Sequence, residues 1–134
     1  MPDAPFQVTL EVRDYECDLQ GIVNNSVYQQ YLEHARHKFL KAKNIDFAAL
    51  TAQKIHLVVI KAELEYKQSL KPGDEFTVSV EMEREGRIRW AFVQEIRRKA
   101  DDKLMLKGRI TGASLNERGR PCLVDQLEPL FNDL

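Results

Sequence analysis

The hydrophobic period of this chain changes twice. Phe6, Val8, Leu10 and Val12 alternate with polar neighbours, so residues 6–13 read as a half-buried strand. From about Ser26 to Lys43, Tyr28, Leu32, Ala35, Phe39 and Ala42 recur at steps of four and three. That spacing puts them on one stripe of an amphipathic helix. Asn24, Asn25 or Ser26 is the expected N-cap, because each carries a short side-chain acceptor for the first-turn amides. The helix should end near Asn44, with a shorter helical piece or turn over 46–53. Alternation then resumes through His56, Val58, Ile60, Ala62, Leu64 and Tyr66, then Phe76, Val78, Val80 and Met82, then Ile88, Trp90, Phe92, Gln94 and Ile96. A last strand is expected over 104–115 and a short helix after Pro121. Lys71-Pro72-Gly73-Asp74 is a turn with a mechanism, since Pro presets φ and Gly permits a positive one. Gly86 and residues 99–103 mark further reversals.

One long helix after the first strand, followed by four long antiparallel strands, predicts an α+β fold. The expectation is a five-stranded antiparallel sheet wrapped around a long central helix, as one domain over residues 1–134. Such a sheet leaves open edges, which pairing between subunits protects, so a homo-oligomer is expected.

Charge narrows the range of functions. With 20 basic and 21 acidic residues the formal net charge is −1, which gives no reason to expect a nucleic-acid partner. The mixed runs around Arg84 and at 101–103 read as solvated faces. The start MPDAPFQVTL lacks the basic and apolar regions of a signal peptide, and no run approaches the ~18 apolar residues of a membrane span. A reducing, cytoplasmic setting without membrane association is therefore expected. Cys17 and Cys122 form no metal-ligand pattern, and no metal or redox cofactor is expected. Cys17 reads first as a small buried hydrophobe rather than a reactive thiol.

Residues 12–36, VRDYECDLQGIVNNSVYQQYLEHAR, carry the candidate chemistry. Asp18 stands just before a glycine turn that opens the long helix. On pattern alone, an aspartate there reads first as a turn residue or cap. It also stands where acyl-transfer chemistry would place an acid. A carboxylate can act as nucleophile or base. Free first-turn amides can hold a developing oxyanion, and losing one such donor costs on the order of 3–4 kcal/mol of barrier.

This stretch resembles the hotdog-fold thioesterases of the 4-hydroxybenzoyl-CoA thioesterase type. The shared residues are Val12-Arg13, Asp18, Gly21, Val23-Asn24-Asn25, Tyr28, Glu33, Ala35 and Arg36. It is similar also to the acyl-carrier-protein thioesterases of plant plastids and their bacterial relatives. The resemblance implies hydrolysis of an acyl-CoA or acyl-carrier-protein thioester to a free acid and a thiol. It implies Asp18 as the catalytic carboxylate and the backbone N–H of Asn25 as the oxyanion donor. Gly21, Ile22 and Val23 would form the loop that brings the substrate carbonyl close. Asn24 would fix that loop or cap the helix, and Tyr28 would pack with its hydroxyl near the acyl pocket. Glu33 would pair with Arg36 or line the site. The active unit would be at least a dimer, more often a dimer of dimers, with the site at a subunit interface.

Ile22 departs from the pattern, because many relatives have histidine there. The departure argues against a hotdog dehydratase, which pairs a histidine with its acid. His34, His37 and His56 occupy other positions and read as structural or exposed. Arg84, Arg87 and Arg89 flank the Gly86 reversal and are candidates for contact with CoA phosphates or an acidic carrier, beside the plainer reading of a solvated surface. The competing function is a non-catalytic acyl-CoA-binding hotdog module. The presence of Asp18 weighs against it, since binding alone needs no acid beside the thioester.

Overall fold

A computed structural model describes residues 5–131 of the chain. Strand β1 (Phe6–Glu11) leads through a short 3-10 turn at Asp14–Glu16 to helix α1 (Asn25–Ala42). Helix α2 (Phe47–Ala52) follows, and then β2 (His56–Tyr66), β3 (Glu75–Glu85), β4 (Arg89–Arg98) and β5 (Lys103–Leu115). A two-residue strand β6 (Pro121–Cys122) pairs with β5, and a 3-10 segment spans Asp125–Leu130. The long strands are antiparallel in the order β1-β3-β4-β5-β2. The sheet thus has the five long strands expected, plus β6. The expected helix after Pro121 is a strand first and a 3-10 turn second.

The alternating positions of β3 and β4 face α1. Phe76, Val78, Val80 and Met82 are buried, as are Trp90, Phe92, Gln94 and Ile96. From the helix, Tyr28, Tyr31, Leu32, Ala35, Phe39 and Leu40 are buried against them. Ala42 corrects the expected stripe, because it is exposed. The helix ends there, and the chain reverses through Asn44 at φ 62°, so Ile45 takes up the burial instead.

Strand β2 also departs from simple alternation. Its register against β5 shifts between Val59 and Lys61, so Ile60 has no partner in the ladder. An extra residue reverses the pleat. Leu57 therefore packs on the core upstream of the bulge and Leu64 downstream of it, which splits the single face expected for His56 to Tyr66. The outer edge of β2 is unpaired among the described residues, and Val59, Ile60 and Tyr66 remain 51%, 48% and 48% exposed.

Two features of the sheet seat the helix. Gln94 is fully buried, and its Nε2 donates to the Leu32 carbonyl at 3.1 Å. Its Oε1 accepts from Arg36 Nη1 at 3.2 Å, and the Arg36 guanidinium lies 5.8 Å from the centre of the Phe92 ring. Burial pulls the Arg36 pKa below its ordinary value, with Glu33 opposing. Gln94 pairs with Gly108 on β5, where a Cβ would stand 3.2 Å from Leu32 Cδ1. Further along β5, Gly112 lies under the Trp90 ring, whose Nε1 donates to Ser114 Oγ at 3.1 Å.

A Cβ added at Gly112 would fall 2.2 Å from Trp90 Cη2 and 2.5 Å from the Val58 carbonyl oxygen. Neither a ring locked in the core nor a strand backbone yields cheaply. Gly112→Ala is therefore expected to destabilise the protein by about 1–3 kcal/mol, read as a lower midpoint in urea with an unchanged slope.

Candidate active site

Residues 16–24 form a small hairpin between β1 and α1. The Asn24 N–H donates to the Glu16 carbonyl at 3.0 Å, Cys17 and Val23 form an antiparallel bridge, and the Asp18 N–H donates to the Ile22 carbonyl at 2.9 Å. The turn closes when the Gly21 N–H donates to the Asp18 carbonyl at 3.0 Å, with Gly21 at φ 74°. Only glycine adopts that conformation without penalty. Asp18 thus stands at the tip of the hairpin and is exposed. Its Oδ1 accepts from the Gln20 N–H at 2.8 Å and, longer, from the Ile22 N–H at 3.5 Å. Its Oδ2 has no hydrogen-bond partner among the described residues.

Asn24 is the N-cap of α1. Its side-chain oxygen accepts from the Ser26 N–H and the Ser26 hydroxyl, both at 3.2 Å, and its carbonyl accepts from the Val27 N–H. The first helical residue, Asn25, keeps a free amide: among the described residues no acceptor takes its N–H. Helix geometry supplies none either, because the first N–H groups lack an intrahelical carbonyl. The hairpin thus brings together an acid with an unused oxygen and a helix N-terminus with an unused donor. The ten residues 16–25 encode both.

Leu70 supports this arrangement from the sheet side. Its carbonyl accepts from the Val23 N–H at 3.0 Å, and its N–H donates to the Tyr28 hydroxyl at 2.9 Å. The Tyr28 hydroxyl is thereby engaged by the Leu70 backbone. Burial first of all pushes the Tyr28 pKa up. The ring also meets Tyr66 edge-on, with centroids 5.6 Å apart. Ile22 is half-buried and Val23 buried, so Val23 anchors the loop while Gly21 and Asp18 stay open.

Other candidates fall elsewhere. Glu33 is exposed and faces His37 at 3.9 Å, while Arg36 turns to Gln94, so the two do not form the close pair expected of them. His34 and His56 are exposed as well. Cys17 is half-buried, and burial together with Asp14, Asp18 and Glu16 pushes its thiol up, away from the reactive thiolate. Arg84, Arg87 and Arg89 lie at the far end of β3 from the hairpin, about 30 Å away at the rise of a strand. Within one protomer they do not join Asp18. Arg84 is engaged by Glu128 and stacks on Phe131 with its guanidinium carbon 4.7 Å from the ring centre. Arg87 and Arg89 line a shallow cleft beside Cys122 and Leu123, with side chains unpaired among the described residues.

Sequence reasoning passed over two groups. Arg118 and Arg120, on the β5–β6 turn, are exposed at the same end of the sheet as Arg87 and Arg89. The R-x-R spacing around Gly119 was their only signal. Glu16 was the second omission, and no period marks it. Its Oε1 accepts from the Tyr31 hydroxyl and from the Arg13 N–H, each at 2.8 Å.

A long helix packed on an antiparallel sheet with this strand order is the hotdog fold. Residues 12–128 match the thioesterase-like superfamily, and the chain belongs to it. It is 30% identical over 115 residues to a chloroplastic acyl-acyl carrier protein thioesterase of Arabidopsis thaliana, covering 86% of this chain and 60% of that relative. It is 30% identical over 78 residues to the long-chain acyl-CoA thioesterase FadM of Escherichia coli, covering 58% of each. The chain thus spans about 60% of the length of these curated relatives. The solved structure of a 1,4-dihydroxy-2-naphthoyl-CoA thioesterase from Synechocystis superposes with a TM-score of 0.87 over 98% of both chains. Its 16% identity speaks to the fold alone. No helix among the described residues is long and apolar enough to cross a membrane.

Asn24→Ala removes the cap acceptor for Ser26 without touching the core. It should cost about 1 kcal/mol, measured as a shift of the urea midpoint.

Proposed function

We propose that this protein hydrolyses acyl thioesters to a carboxylic acid and a thiol, with Asp18 as the catalytic carboxylate and the Asn25 N–H as the oxyanion donor. The observation that carries this reading is the unpartnered Asn25 amide opening α1 a few residues from an exposed carboxylate with a free oxygen. Attack on a thioester carbonyl moves negative charge onto oxygen. A fixed N–H at a helix N-terminus stabilises that charge without reorganising. Asp18 either attacks the carbonyl carbon itself or takes the proton of an attacking water. Gly21 has open space where a Cβ would be, so substrate can approach the loop backbone.

The active unit in this reading is a homodimer, and in its complete form a dimer of dimers. The support is the unpaired β2 edge with its exposed Val59, Ile60 and Tyr66. An open apolar edge is covered most simply by a second copy. Antiparallel pairing of two β2 edges about a two-fold axis reverses one protomer end for end. The arginine end of one protomer then lies at the same end as the Asp18 hairpin of the other. This removes the 30 Å objection, and Arg87, Arg89, Arg118 and Arg120 become contacts for the phosphates of CoA or for an acidic carrier protein. The chain's similarity to an acyl-acyl carrier protein thioesterase and to a long-chain acyl-CoA thioesterase supports both carriers.

Thiol release from a panel of acyl-CoA and acyl-carrier-protein thioesters tests the reading. Asp18→Asn preserves the acceptor for Gln20 and Ile22, so the loop stays folded, and kcat should fall by a factor of ~10² or more. Equal turnover by the variant would remove Asp18 from the chemistry. A wild type that is stabilised by acyl-CoA but never turns over would make this a binding module. Replacing Arg118 and Arg120 by alanine should raise KM several-fold at low salt and leave kcat nearly unchanged, with the effect shrinking as ionic strength rises.

A further inference from the structure

We infer that Glu16 is the positioning residue of the site: its carboxylate ties the Asp18 hairpin to the second turn of α1 and so holds the acid in place relative to the Asn25 amide. The inference rests on the thioesterase reading above and extends it to a residue that touches neither substrate nor reacting atoms.

Glu16 bonds to three separate pieces of the structure. Oε1 accepts from the Arg13 N–H at 2.8 Å, which fixes the exit from β1. The same oxygen accepts from the Tyr31 hydroxyl at 2.8 Å, which fixes the side of the helix. The Glu16 carbonyl accepts from the Asn24 N–H at 3.0 Å, which fixes the residue preceding Asn25. Asp18 follows Glu16 by two residues, and Asn25 follows Asn24 by one. The pair held together at 16 and 24 therefore sets the spacing of the pair that reacts. Tyr31 is a rigid partner, because it is buried and its ring packs 4.7 Å from that of Phe76 on β3. The hairpin is thus braced through Tyr31 to the sheet, while at the Asp18 end, with Leu19 fully exposed, no side chain from outside the hairpin makes a hydrogen bond among the described residues.

A chain held by this brace loses geometry rather than fold when the brace is cut. Misplacement of a catalytic group by about 1 Å can cost ~10² in rate. Glu16→Ala removes both side-chain bonds, whereas Glu16→Gln retains an oxygen that accepts them. The expected result is a fall in kcat of roughly 10- to 100-fold for Glu16→Ala with KM little changed, and near wild-type kcat for Glu16→Gln. In an Asp18→Asn background Glu16→Ala should add almost nothing, because its effect passes through Asp18. A full additional loss in that background, or wild-type kcat for Glu16→Ala alone, would overturn the inference.

Amide hydrogen exchange supplies a readout independent of turnover. The Gln20 and Asn24 amides should lose protection in Glu16→Ala and in Tyr31→Phe while the β3–β4–β5 amides keep theirs. Unchanged protection would overturn the inference whatever the activity. A wild type inert on every thioester would instead fail the thioesterase reading, and the exchange data would still decide whether Glu16 braces the loop.

Discussion

A single buried glutamine fixes how the helix sits in the sheet. Apolar burial is non-directional, so a helix with a greasy stripe can slide or roll on a greasy sheet at little cost. The bond from Gln94 to the Leu32 carbonyl removes that freedom. It lies in a dry interior, where an unmet donor or acceptor costs about 1–3 kcal/mol, and it is directional. Arg36 satisfies the other end of the same amide, so each of the two polar atoms of Gln94 has a partner. Gly108 beside it lets Leu32 approach the sheet closely. Axial position, rotation and depth of the helix are thus set at one place near its middle.

Everything at the candidate site inherits that setting. The N-terminus of α1 lies two turns before Leu32, and a helix is stiff over such a length. Leu70 and Tyr31 then connect the sheet and the helix to the loop. Asp18 completes the arrangement by accepting from amides of its own turn. These bonds orient the carboxylate within its own turn, while Glu16 and Tyr31 hold the turn itself, and a carboxylate oxygen stays free in a loop that is already ordered. Preorganisation of this kind lowers the entropy lost when substrate binds.

The hydrophobic periods revealed much of this. Alternation through Phe76 to Met82 and through Trp90 to Ile96 marked the buried face of the sheet, even to the inclusion of Gln94, a polar residue at an apolar position. The step-of-four stripe marked α1. Periods failed where backbone irregularity intervened. The bulge at Ile60 splits β2 into two phases, and no side-chain pattern encodes an unpaired residue. Ala42 obeyed the stripe, but the helix stops there. At the candidate site, local spacing sufficed to mark an acid before the turn and the residue that opens α1. Glu16, Tyr31 and Leu70 were invisible because they act through hydrogen bonds between segments far apart in sequence. The separation of Arg84, Arg87 and Arg89 from Asp18 is likewise a matter of topology, and Arg84 proved to be held by Glu128 near the far end of the chain.

The contacts of Leu70 have an evolutionary reading. The bond from Val23 to Leu70 uses main-chain groups at both ends, as does the bond from Asn24 to Glu16, whereas the bond from Leu70 to Tyr28 needs the tyrosine hydroxyl. Main-chain groups are the same in every residue except proline. Mutation can therefore redraw most side chains along the loop and its support without erasing the two main-chain bonds. A site wired in this way tolerates long sequence drift, and lineages whose residues differ at most positions can still inherit the same loop.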